Sequence, residues 1–198
     1  MASTGINKHN VGRIAERIVS NELEYRGFRV SDLNKEGISA NADLLAACEG
    51  HTWQIQVKGS TYENGWWFGY GHCTEPVLAG TETMFNRSIH NFYKAQVVAL
   101  VCVKSPNEYQ CLVLPEHVAE EAAQMNLDWG TRPPKIKGGA HKAGGKVYVD
   151  FYDVPKNNDE TKKAKRIAEK ELVKPYLDNW DWLRRRGNEA EAGQAAGG

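Results

Sequence analysis

The chain has no excess of charge of either sign: 25 Lys and Arg balance 25 Asp and Glu across 198 residues. Proteins that grip nucleic acid non-specifically neutralise many phosphates with a basic surface. No such overall field is present, although basic residues cluster locally at 135–146 and 184–186. No apolar run approaches the roughly 20 residues that span a bilayer. The opening residues, MASTGINKHN, hold no apolar core of a secretory signal. Cysteine is sparse and scattered, at positions 48, 73, 102 and 111, without the paired spacing of a zinc site. Cys48 and Cys102 lie in apolar runs and read as buried thiols. These absences lead to the expectation of a soluble cytoplasmic protein with reduced cysteines and no membrane partner.

Several catalytic signatures are missing too. There is no phosphate loop of the Walker type and no strand-linked G-x-G-x-x-G. The segment 138–145, GGAHKAGG, is glycine-rich but lacks the lysine–hydroxyl ending, and reads as a loop. No H-E-x-x-H occurs. His72, His90 and His117 fall on unrelated segments, which argues against a three-histidine or HNH-type centre.

What is present suits one α/β core. A single domain is expected over 1–187, with a core at about 10–155, a helical extension at 156–187 and a disordered tail at 188–198. Positions 10–26 carry Val11, Ile14, Ala15, Ile18, Val19 and Leu23 on one stripe, which predicts an amphipathic helix closed by Gly27. A short strand is expected at 28–33, then a polar loop. The residues 61–80 mix glycine with Trp66, Trp67 and Phe68 and read as a long loop, with part of it open to a strand assignment. A helix is predicted over 84–94, with Arg87, His90 and Lys94 at exposed spacing. The continuous apolar run 95–103 predicts a strand buried on both faces. A strand at 109–114, a helix from Pro115 to Gln124, an extended loop at 126–145 and a strand at 146–153 follow. The helix expected over 159–183 is interrupted by Pro175.

The stretch 41–60, NADLLAACEGHTWQIQVKGS, carries the chemistry. Asp43 opens an apolar run, Glu49-Gly50 supplies a turn, and 51–60 returns as an alternating segment. On a strand Gln54, Gln56 and Lys58 share one face, and Trp53, Ile55 and Val57 take the other. A hairpin of this kind brings Asp43 towards Gln56 and Lys58. That would let an acid and an amide approach a divalent cation while an ammonium approaches an anionic substrate. Plainer alternatives exist for each residue. Asp43 could cap the hairpin, the Gln54–Lys58 face could be solvated, and Glu16 could pair with Arg13 or Arg17 on a helix surface.

In the order helix with an acid, strand with Asp, hairpin, strand with acid–x–Lys, helix, strand, this chain resembles the PD-(D/E)XK nuclease superfamily. The matching positions are Glu16, Asp43, Gln56-Val57-Lys58, the helical candidate at 84–93 and the strand 97–103. The resemblance covers about half the chain. Gln56 stands where an acid is more usual, a Q-x-K version found in some homing-endonuclease-like members, and Ala42 stands at the Pro position. The resemblance implies a restriction-endonuclease-like core with a mixed central β-sheet flanked by helices. It also implies a Mg²⁺-dependent DNA endonuclease, with Mn²⁺ able to substitute. Asp43, Gln56, the Val57 carbonyl and Glu16 would hold the ion. Lys58 would orient water or stabilise the phosphoryl charge. With an amide at 56, Glu16 gains weight as the second carboxylate, and Glu22, six residues on, faces elsewhere.

Duplex DNA is the expected partner, with Trp66, Trp67, Arg87, Lys135, Lys137 and Lys142 as its candidate contacts. Two cuts in a duplex imply a homodimer or higher homo-oligomer, for which Trp180, Trp182 and Leu183 offer a surface unless they cap the core. A catalytically silent binding module, and a nuclease for RNA or single strands, remain the alternatives.

Overall fold

The computed structural model describes residues 8–34, 42–61, 66–73, 77–78, 89–91, 95–105, 107–131, 140–141, 146–151 and 160–184. Helix α1 (Lys8–Tyr25) presents Ala15, Val19 and Leu23 to the core. It ends as a Schellman motif: Phe28 N–H bonds the Leu23 carbonyl at 3.0 Å and Gly27 N–H bonds the Glu24 carbonyl at 2.9 Å. Gly27 takes a φ of +84°, which a side chain would resist. Leu23 and Phe28 join the same apolar cluster across this turn.

The chain then runs through β1 (Arg29–Asp32), β2 (Leu44–Cys48) and β3 (His51–Thr61). Strands β2 and β3 pair as a tight antiparallel hairpin from Leu44↔Ile55 to Cys48↔His51. Its two turn residues, Glu49 and Gly50, have φ of 51° and 80°, the primed geometry that matches strand twist. Farther along come β4 (Trp66–Cys73), β5 (Val77–Leu78), β6 (Ile89–Asn91), β7 (Val97–Ser105) and β8 (Glu108–Pro115). Helix α2 (Glu116–Thr131), β9 (Ala140–His141), β10 (Lys146–Phe151) and α3 (Glu160–Val173) complete the elements, followed by a 3₁₀ turn at Lys174–Tyr176.

The central sheet has five strands in the order β1-β2-β3-β7-β8. It is mixed: β3 and β7 are parallel and every other pairing is antiparallel. Strand β7, VVALVCVKS, alternates between two clusters. Val97, Ala99, Val101 and Val103 face α1 with Ile55 and Val57. Val98, Leu100 and Cys102 face α2 and α3 through Val118, Ala119, Ala122 and Val173. Each large side chain buried this way contributes about 1.5–3 kcal/mol. The fold is therefore α/β, a mixed sheet with helices on both faces.

The outer edge of β8 is covered by the chain's C-terminal segment. Asp178 N–H bonds the Cys111 carbonyl at 2.7 Å, and its Oδ1 accepts Cys111 N–H at 2.8 Å. Trp182 Nε1 donates to the Val113 carbonyl at 2.9 Å. These bonds satisfy an edge that would otherwise be open to another strand. Trp180 and Leu183 are buried in the α1-side core, so they cap it, as the plainer of the two expectations has it.

Four expectations change. Residues 66–73 form β4, in a sheet ordered β10-β4-β6, where a loop was the main reading. The helix expected over 84–94 fails at Ile89–Asn91, which pairs antiparallel with Gly71–Cys73. A weak helical pattern gives way to non-local ladder bonds, and 84–88 and 92–94 lie outside the described residues. Helix α2 continues past Gln124 to Thr131, and β9 falls within the expected 126–145 loop. Cys48 is half-buried; Cys102 is buried as expected.

Candidate active site

Strand β3 outruns β2. The hairpin ladder stops at Leu44↔Ile55, while β3 continues to Thr61 against β7. On the side that β2 vacates, Asp43 fills the next rung. Its N–H bonds the Ile55 carbonyl at 2.9 Å, and its Oδ2 accepts Val57 N–H at 2.7 Å. Within a strand, the N–H and C=O of one residue point to the same side. The Val57 carbonyl therefore points to the same side of β3 as Asp43.

Two side chains complete the surroundings of this carboxylate. Gln56 Nε2 donates to Asp43 Oδ2, and Asn34 Nδ2 donates to Oδ1 at 3.2 Å. Asn34 is itself placed by Asp32, whose Oδ1 accepts the Asn34 backbone N–H at 3.1 Å. Gln56 is only 5% exposed, which goes against the plainer alternative of a solvated face at this position. Gln56 aligns with Val98 and Lys58 with Leu100, on the face of the sheet opposite α1. Gln54, nearer the end of the strand, is exposed and Lys58 is half-buried.

Helix α1 brings the remaining acid. It crosses β3 at Gly59, where an added Cβ would lie 2.7 Å from the Val11 carbonyl oxygen and 2.9 Å from Ala15 Cβ. Only a glycine permits so close an approach, and Glu16 follows Ala15 on the same turn. Burial first, and then the carboxylates of Asp43 and Asp32, push the Glu16 carboxyl above its ordinary value. Lys58 and Arg13 pull it the other way. Glu16 thus shares one electrostatic neighbourhood with Asp43, Asp32 and Lys58. Glu22 faces elsewhere: it accepts Tyr109 O–H at 2.6 Å and pairs with Arg26.

Among the described residues, no three His, Cys, Asp or Glu side chains gather closely enough to hold a metal ion by themselves. The oxygens that the expected ligand set would offer a cation are the Glu16 and Asp43 carboxylates, the Val57 carbonyl and the Gln56 side-chain amide. One or two carboxylates with carbonyl oxygens and water is the set that Mg²⁺ uses. The residues fit a hard divalent cation and would suit zinc poorly.

Sequence reasoning picks out Glu16, Asp43, Gln56, Val57 and Lys58; the structure brings Asp43, Gln56 and Val57 into hydrogen-bond contact, and Glu16 feels the charges of Asp43 and Lys58. Sequence reasoning passes over Asp32, Asn34 and Gly59. Asn34 follows a strand by two residues and Asp32 ends that strand, a turn signal. Gly59 carries no such signal, because its constraint comes from a helix more than 40 residues away in sequence. Of the expected nucleic-acid contacts, Trp66 and Trp67 lie on β4, opposite Phe151 and Asp150, with side chains outside the described residues. Arg87, Lys135, Lys137 and Lys142 also lie outside the described residues.

No family model matches the chain, and no curated protein does at a significant level. Among solved structures, it is similar to a bacterial homing endonuclease at 14% identity and a TM-score of 0.47, covering 96% of this chain and 99% of that one. Among the described residues, no helix is long and apolar enough to cross a membrane.

Proposed function

We propose that the chain is a metal-dependent DNA endonuclease of the PD-(D/E)XK type with a restriction-endonuclease-like core. The observation that supports this most is the rung that Asp43 adds beyond the β2–β3 ladder. It sets a carboxylate, the Val57 carbonyl and the Gln56 amide at one spot, with Glu16 and Lys58 in the same neighbourhood. Glu16, Asp43, Val57 and Gln56 would hold Mg²⁺, which would neutralise phosphate charge and make water more acidic.

The chain's own residues do the rest. The backbone bond from Val57 and the buried Gln56 fix the Asp43 carboxylate before substrate arrives, so little reorganisation is needed. Burial and two like charges push the Glu16 carboxyl up, so its ionised form gains from any added cation. Lys58 places its ammonium where negative charge grows as water attacks phosphorus.

One observation favours a second reading. The three N–H donors on Asp43 are also what a purely structural cap of the hairpin would receive. A silent nucleic-acid-binding module would keep these bonds and take up no cation. The test is cleavage of supercoiled and linear plasmid in Mg²⁺ and in EDTA by the parent and Lys58→Ala, with single-stranded DNA and RNA in parallel. Metal-dependent cutting of duplex that Lys58→Ala abolishes is the expected result. Undiminished cutting by Lys58→Ala would overturn the assignment, and cutting confined to RNA or single strands would change the substrate.

A further inference from the structure

We propose that Asn34 is a placeholder for the cation, occupying Asp43 Oδ1 in the metal-free protein and withdrawing when an ion binds. This rests on the reading of Asp43 as a cation ligand. A carboxylate offers about four lone-pair positions, two on each oxygen. On Asp43, Oδ2 receives both Gln56 Nε2 and Val57 N–H, whereas Oδ1 receives Asn34 Nδ2.

The three donors differ in how easily they leave. Val57 N–H belongs to the backbone of a strand bonded to β7. Gln56 is buried on the same strand. Asn34 is exposed, and its side-chain bond to Asp43 Oδ1, at 3.2 Å, is longer than either bond to Oδ2. Its backbone stays in place because its N–H is anchored separately to Asp32 Oδ1 at 3.1 Å. Rotation about the Asn34 side-chain torsions alone therefore opens Oδ1. Orientation of Asp43 does not depend on Asn34, since two other donors already hold the opposite oxygen.

A positioning residue that steadied Asp43 for the ion would weaken binding when removed. A placeholder does the opposite: its removal relieves the ion of a competitor. Losing one hydrogen bond of ordinary net worth should tighten cation binding by about 2- to 10-fold.

The experiment is calorimetric titration of Mg²⁺, and of Ca²⁺ as a second oxygen-seeking ion, into the full chain without nucleic acid. Parent, Asn34→Ala and Asp43→Asn are compared, with urea melts to confirm that each is folded. The expected result is tighter binding by Asn34→Ala than by the parent and loss of binding in Asp43→Asn. Binding by Asn34→Ala that equals or falls below the parent's would overturn the placeholder while leaving the nuclease reading intact. Absence of binding in both parent and Asn34→Ala would overturn the cation reading of Asp43, and the placeholder with it.

Discussion

Gly59→Ala tests how the fold positions its acid. The substitution adds one carbon, in a strand where glycine is otherwise unfavourable and at a φ that any residue tolerates. The new Cβ would stand 2.7 Å from the Val11 carbonyl oxygen and 2.9 Å from Ala15 Cβ, with Val11 Cγ1 at 3.1 Å. Ordinary contact begins near 3.4 Å, so α1 must retreat by about 0.5–0.7 Å. Neither of the two closest atoms is a flexible tip; one is helix backbone and the other a Cβ. Overpacking of this kind costs about 1–3 kcal/mol. Restricting the unfolded chain returns about 0.4–1 kcal/mol. The net is a loss of about 1–2 kcal/mol, or a Tm lower by about 3–6 °C for a chain of this size. Glu16 moves with Ala15, so cleavage at a temperature where the variant is fully folded should fall as well. Differential scanning calorimetry and plasmid cleavage read the two effects. A Tm equal to or above the parent's would refute the close approach of α1 to β3.

Three further outcomes are expected. Glu16→Gln should be more stable than the parent at neutral pH, because burial and neighbouring carboxylates make ionising Glu16 costly in the folded chain. That cost is complete above the folded-state value and vanishes as pH falls towards the ordinary 4.5, so urea melts of the two proteins should converge in acid. Tyr109→Phe removes the bond to Glu22, and its hydroxyl is pushed up to about 12, chiefly by that bond. The stabilisation is complete below the ordinary 10 and lost as pH rises through about 12, so the parent's advantage of about 1.5–3 kcal/mol should shrink over that range. Absorbance titration of the phenolate and alkaline melts check this. Glu49→Asn should raise the Tm by a few degrees, since Glu49 holds a φ of 51° in a turn that favours Asn-Gly.

The parts of this fold legible in the sequence are those decided by neighbours along the chain. The stripe ending at Gly27, the turn at Glu49-Gly50 and the apolar run of β7 each carry a local period or a conformational demand. The hairpin alone brings Asp43 to Gln56 and Val57, which is why this contact could be read from the sequence. What escaped was decided by contacts distant in sequence. Strands β4 and β6 take their conformation from pairing with each other and with β10. Gln56 lies on the face opposite α1, aligned with Val98 of the later strand β7. Asn34, held by Asp32, reaches Asp43 only once β1 lies beside β2.

The double role of Asp43 shapes the decisive measurement. Asp43→Ala would leave the Val57 N–H and the Gln56 amide without an acceptor, at about 1–3 kcal/mol each, and confuse lost chemistry with lost structure. Asp43→Asn keeps an acceptor oxygen in nearly the same shape while removing the charge. Plasmid cleavage should therefore be followed across a Mg²⁺ titration for the parent, Asp43→Asn and Lys58→Ala, each verified folded at the assay temperature. The account predicts metal-dependent cleavage by the parent and none by either variant. Cleavage at the parental rate by both folded variants would contradict it.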